Sequence, residues 1–93
     1  MARDDHGMIY LIQGRNGGPV KLGWCQDDPR SRLTALQIGN PERLDLLGTL
    51  DCSRAVEKWL HRMFADLHIR GEWFGPAILQ RLIPLDQDWV IEA

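Results

Sequence analysis

This chain can bring a phenol, an ammonium and a bare stretch of backbone to one place. Tyr10 lies in the run Met8-Ile9-Tyr10-Leu11-Ile12-Gln13, and Lys21 and Gly23 lie in Val20-Lys21-Leu22-Gly23-Trp24. Between them stands Gly14-Arg15-Asn16-Gly17-Gly18-Pro19. If Gln13 pairs with Val20 beside that loop, Tyr10 falls opposite Gly23 and shares a face with Lys21, whereas a one-residue slip separates them. On a shared face the cation stabilises phenolate and the glycine lets a substrate approach the backbone. The same residues also fit a half-buried tyrosine beside a solvated lysine.

Other side chains add to this chemistry. Arg32 follows soon after, and its forked guanidinium can clamp a phosphate in two places or pair with Asp28 four residues back. Glu57 and His61 are four apart and so stack along one edge of a helix. A carboxylate at the rim of a core suits Mg²⁺, an ion that takes one or two protein carboxylates and keeps waters for its substrate. The same two residues also read as an ordinary helix pair worth about 0.2–0.5 kcal/mol.

The elements that must position these groups are visible in outline. The first run is β-branched and aromatic, and the second alternates, with Val20, Leu22 and Trp24 on a buried face and Lys21 and Gly23 on an open one. A hairpin with a six-residue loop is expected. Either Ile9 and Leu11 or Met8, Tyr10 and Ile12 could join Val20 in the core. Asp28 and Pro29 form a helix start, Leu33 and Leu36 lie on one face of that helix, and Gly39-Asn40-Pro41 ends it. Leu44 to Leu50 is mostly apolar and reads as the third strand. A helix from about Arg54 to Leu67 carries Val56, Trp59, Leu60, Met63, Phe64 and Leu67 at three- and four-residue steps, with Trp59 and Phe64 expected in the core. His68 to Phe74 leaves that helix and returns toward the sheet. A last helix starts at Gly75-Pro76 and runs to about Leu82, and the acidic tail Pro84 to Ala93 is weakly specified, with Trp89 available to dock it.

In order, Ile9-Tyr10, Val20-Lys21-Leu22-Gly23, Arg32-Leu33, Glu57 and Arg70-Gly71-Glu72-Trp73-Phe74 resemble the GIY-YIG nuclease superfamily. The chain is similar in particular to a compact phage and bacterial branch with a motif like Val-Lys-Ile-Gly and a closing segment like Arg-Gly-Glu-Trp-Phe. The match spans residues 8 to 74. It departs from the pattern in three places: Met8 stands where the first glycine would be, Lys21 replaces the second tyrosine, and a late asparagine has no counterpart near Glu72. The resemblance implies an α+β fold, a small three-stranded antiparallel sheet flanked by helices. It also implies a divalent-metal-dependent endonuclease that hydrolyses DNA phosphodiesters with Mg²⁺ or Mn²⁺. Tyr10, Lys21, Arg32 and His61 are then the catalytic set and Glu57 the metal ligand, with Gly23, Arg30 and Arg70 against the nucleic acid. For Tyr10 to act as the base, its reference pKa of about 10 must fall or its proton must be passed on.

Composition sets the bounds. The chain has 93 residues, 44% hydrophobic and 26% charged, which fits one small domain over residues 1–93 with its core at about 8–83. Met1 to Gly7 is polar and precedes only a short apolar run, so neither a signal peptide nor a membrane segment is expected, and the protein is read as cytoplasmic. Cys25 and Cys52 have no metal-ligand spacing and read as free thiols. The net charge of −2 opposes DNA binding, although Arg15 to Arg70 holds nine Lys and Arg against seven Asp and Glu. That small excess predicts weak stand-alone affinity, or help from a second copy in a homodimer or from a partner protein. Two other function classes fit the same residues: a nucleic-acid-binding module that has lost its chemistry, and a protein-interaction module built on the Trp-rich C-terminal third.

Overall fold

The first apolar run is apolar on both faces because it becomes the central strand of a sheet that is covered on both sides. In the computed structural model, which describes residues 6–92, β1 (His6–Gly14) pairs antiparallel with β2 (Val20–Cys25) and with β3 (Leu44–Ser53). Ile9 and Leu11 point to one face with Val20 and Leu22, while Tyr10 and Ile12 point to the other with Cys25 and Leu44. Of the two sets the sequence left open, Ile9 and Leu11 are the ones that join Val20, and Met8, Tyr10 and Ile12 belong to a second apolar cluster on the other face. Gln13 pairs with Val20 and Tyr10 with Gly23, the register that puts Tyr10 and Lys21 on one face. Gly17 and Gly18 take φ of 92° and 91° in the connecting loop, a left-handed conformation that costs little only without a Cβ.

The expected three-stranded sheet is corrected to six strands. Its order is β4 (His68–Arg70), β5 (Trp73–Phe74), β2, β1, β3 and β6 (Val90–Ile91), with every neighbouring pair antiparallel. The class remains α+β. The added strands are two or three residues long, too short for any alternation to register, and they form because β2 and β3 each have an edge left to fill. The segment after the long helix does return toward the sheet, and part of the acidic tail becomes β6 on the far edge.

Helix α1 (Pro29–Gln37) starts as its sequence predicts, with Asp28 accepting from the Arg30 amide at 3.0 Å and Pro29 in the first turn. It lays Leu33 and Leu36 over the Tyr10 face, so the face expected to be open is covered beside Tyr10, which is 2% exposed. On the opposite face, α2 (Arg54–Met63) and α3 (Ile78–Leu82) bring Leu60, Phe64, Ile78 and Leu82 against Ile9, Leu11 and Leu22. Each such buried side chain contributes roughly 1.5–3 kcal/mol.

Helix α2 is shorter than expected. Its last turn tightens into a 3₁₀ turn at Ala65–Leu67, where the Leu67 carbonyl accepts from the Gly75 amide at 2.7 Å. Phe64 is buried, but Trp59 is 50% exposed, because the sheet covers only the middle of the apolar stripe. No helix among the described residues is long and apolar enough to cross a membrane. Met1 to Asp5 and Ala93, the ends of the expected domain, lie outside the described residues.

Candidate functional site

The site is assembled around β2, which carries Lys21, Gly23 and Trp24 and pairs with the segments that bring Tyr10 and Glu72. Gly23 lies opposite Tyr10, and a Cβ placed there would come within 2.4 Å of the phenol Cζ and hydroxyl. The ring therefore lies flat across the strand over that glycine, and the requirement for glycine is one of space. Two residues back, Lys21 places its Nζ 5.5 Å from the Tyr10 ring centre. Lys21 is also the strand partner of Trp73, and the neighbouring Leu22 amide donates to the Glu72 carbonyl at 2.9 Å. This pairing delivers the Glu72 carboxylate to the Lys21 ammonium as an ion pair.

Around these groups lies a groove of about 370 Å³, lined by Tyr10, Lys21, Trp24, Arg32, Arg54 and Glu72, with Ala35 and Leu36 of α1 along one wall. Arg32 is exposed in it and makes no ion pair among the described residues. The pairing with Asp28 that the sequence left open goes instead to Arg30, which also reaches Glu92 at 3.2 Å. Three cations against one carboxylate make the groove positive although the whole chain is negative. A phosphodiester is the kind of group such a groove attracts.

Behind Glu72 stands Glu57 on α2, whose side chain is 10% exposed against 42% for Glu72. Burial pushes the Glu57 carboxyl above its ordinary range, the Glu72 carboxylate beside it pushes further, and His61 and Arg54 pull back only in part. His61 Nε2 lies 3.1 Å from the Leu22 carbonyl and 3.4 Å from the Glu57 carboxylate. Both neighbours are acceptors, so Nε2 carries the proton and ties Glu57 to the strand that holds Lys21.

The electrostatics correct one expectation. Burial raises the Tyr10 pKa above its ordinary value near 10, and Lys21 and Arg32 pull it down without overcoming that effect. At neutral pH Tyr10 is a phenol. Burial also acts to lower the Lys21 pKa, but Glu72 and the phenol outweigh it and the ammonium holds its proton more firmly than usual. Cys25 and Cys52 are free thiols, as expected, and burial pushes both up, away from nucleophilic use.

Among the described residues no three His, Cys, Asp or Glu side chains gather into a ready ligand cage. Two adjoining carboxylates, one of them buried and its charge made costlier by the other, are nevertheless the donor chemistry that suits a hard divalent ion. Glu57 and Glu72 are the groups that could hold one.

Of the residues singled out from sequence, the structure gathers Tyr10, Lys21 and Arg32 in the groove, with Gly23 beneath the Tyr10 ring, which fills the space over its backbone, and with Glu57 and His61 behind. Arg30 is engaged with carboxylates outside it, and Arg70 lines a separate concavity with Gly14, Asn40 and Glu42. Glu72, Trp24 and Arg54 enter the site unannounced. Glu72 stood inside the closing motif, but only the pairing of β5 with β2 shows which side chain it meets.

No curated protein and no solved structure matches the chain. Residues 7–87, which span every element of the groove, match the model of the T5orf172 domain, found in phage and bacterial nuclease-like proteins, and the chain belongs to that family.

Proposed function

We propose that this protein is a GIY-YIG-type endonuclease that hydrolyses DNA phosphodiesters with a divalent ion, Mg²⁺ or Mn²⁺. The observation that carries the reading is the Tyr10 phenol laid over Gly23 between two cations, Lys21 and Arg32, in a positive groove. Membership of a domain family found in nuclease-like proteins supports it.

Each side chain then has a task set by its surroundings. Arg32, free of carboxylate partners among the described residues, holds two oxygens of the scissile phosphate with its fork. Lys21, kept charged by Glu72, offsets the charge that builds on the phosphate as water attacks. Tyr10 starts neutral: it first gives its hydroxyl proton to solvent in the open groove, a loss favoured by Lys21 and Arg32, both of which pull its pKa down, and the phenolate then takes the proton of the attacking water. Glu57, with Glu72 beside it, holds the ion, which when bound supplies Lewis-acid stabilisation of the leaving oxygen. His61, expected as a catalytic group, is here a positioning residue that fixes Glu57 against the Leu22 carbonyl. A DNA substrate makes the cytoplasm the working compartment.

The test is plasmid nicking with Mg²⁺ or Mn²⁺ compared with EDTA. Metal-dependent conversion of supercoiled to nicked DNA is expected. No cleavage of any supercoiled, linear or branched substrate, together with EDTA-insensitive binding in a gel shift, would select a second reading, a binding module without chemistry. The raised Tyr10 pKa is what favours that alternative.

A further inference from the structure

The groove does not end at Tyr10. It continues into a second concavity of about 290 Å³, bounded by Cys25, Gln26 and Asp27, and the two share Trp24, Arg32 and Arg54 as a common wall. Arg54 is the first residue of α2, and its guanidinium lies over the Trp24 ring at 5.1 Å. Trp24 is itself pinned, its indole Nε1 donating to the Cys52 carbonyl at 3.0 Å. A guanidinium stacked on a fixed ring keeps its planar fork presented at one place, with little rotamer freedom left to lose on binding. Arg15, Arg30 and Arg81 all spend their charge on nearby carboxylates. Arg54 makes no ion pair among the described residues and faces the shared wall from the side opposite α1.

We infer that Arg54 on its Trp24 platform is a second phosphate subsite, which binds the phosphate next to the scissile one on the same nucleic-acid strand. The inference rests on the nuclease reading and deepens it: the ligand is an oligonucleotide strand, held by Arg32 at the reacting phosphate and by Arg54 at its neighbour. Arg32 and Arg54 stand on the wall common to both concavities, so successive phosphates of one strand running along it meet the two guanidiniums in turn. Asp27 lines the second concavity and not the first, and a carboxylate there disfavours a third phosphate. Arg54 touches the flanking phosphate and not the reacting atoms, so it governs affinity and placement on the strand.

The test is equilibrium binding of a short oligonucleotide in EDTA, so that nothing is cut, across a range of salt concentrations, with the wild-type protein, Arg54→Met and Arg54→Lys. Losing one charged phosphate contact weakens binding roughly tenfold and reduces the salt slope by about one. Arg54→Lys restores the slope but only part of the affinity, because a point charge replaces a stacked fork. A scan with single neutral methylphosphonate linkages places the contact: one position weakens the wild type and leaves Arg54→Met unaffected. Unchanged affinity and slope in Arg54→Met, or a methylphosphonate profile identical to that of the wild type, would overturn the subsite while leaving the nuclease reading in place. No binding by the wild-type protein itself would overturn both.

Discussion

Tyr10 is the only tyrosine in the chain, so the ultraviolet absorbance of tyrosinate reports on it alone. Burial holds its proton, and the absorbance midpoint is expected above 10. A folded-state pKa above the unfolded value gives stability that is fully present below the unfolded pKa near 10 and is lost as pH rises through the folded one. Lys21→Met removes a cation that pulls the pKa down, so the midpoint should move further up; a downward shift would show that Lys21 does not face the phenol. The alkaline limb of the cleavage rate should move with it. Glu57 makes the same kind of prediction at acid pH. Its folded pKa is raised above the ordinary 4.5, so its contribution to stability is full below that value and is lost as pH rises through the folded pKa. Glu57→Gln keeps the shape and stays neutral, so its melting temperature should exceed the wild type's at pH 7 and converge with it near pH 4. A variant less stable at neutral pH would show that the charge is compensated in the fold. At this scale the sequence was informative about which groups meet once Gln13 is paired with Val20 beside the loop, as the structure has it, and silent about the sign of the Tyr10 shift. That sign depends on α1 covering the ring, a tertiary effect that no local pattern encodes.

The elements that carry the most information about function are the shortest. β5 is two residues long, yet it completes the groove by laying Glu72 beside Lys21. Its anchor is Phe74, fully buried, with the rings of His61 and His68 packed edge-on at 4.9 and 5.4 Å. Phe74→Ala should cost about 3–5 kcal/mol of unfolding free energy in a denaturant titration, the usual range for emptying a buried aromatic site. A loss under 1 kcal/mol would mean that β5 is not docked as described. β2 and α1 were legible from a period and a cap, the alternation in Val20 to Trp24 and Asp28 with Pro29 before α1, and β1 and β3 from continuous apolar runs bounded by turn residues. The strands β4, β5 and β6 have no period to read, and their positions are decided by the unfilled edges of β2 and β3. Helix α2 misled in a different way. Its apolar stripe is broader than the surface it packs on, which leaves Trp59 half exposed.

For the molecule as a whole, a net charge of −2 argued against a phosphate ligand, and the fold resolves the conflict by sorting charge. Arg15, Arg30 and Arg81 are neutralised by Asp45, Asp28 with Glu92, and Asp66 on the outer surface, while Lys21, Arg32 and Arg54 converge on one groove. A count along the chain cannot reveal this sorting, because it depends on which cations find carboxylates once the sheet and helices assemble. The account stands on the groove being a phosphodiester hydrolysis site centred on the Tyr10 hydroxyl, and Tyr10→Phe removes that atom and little else. The decisive measurement is single-turnover cleavage of a bound DNA in Mg²⁺ by wild type and Tyr10→Phe, with affinity measured in parallel in EDTA. Loss of a positioned proton-transfer group predicts a fall in rate of roughly 10²–10⁴ with affinity unchanged; metal-dependent cleavage by Tyr10→Phe at the wild-type rate would contradict it.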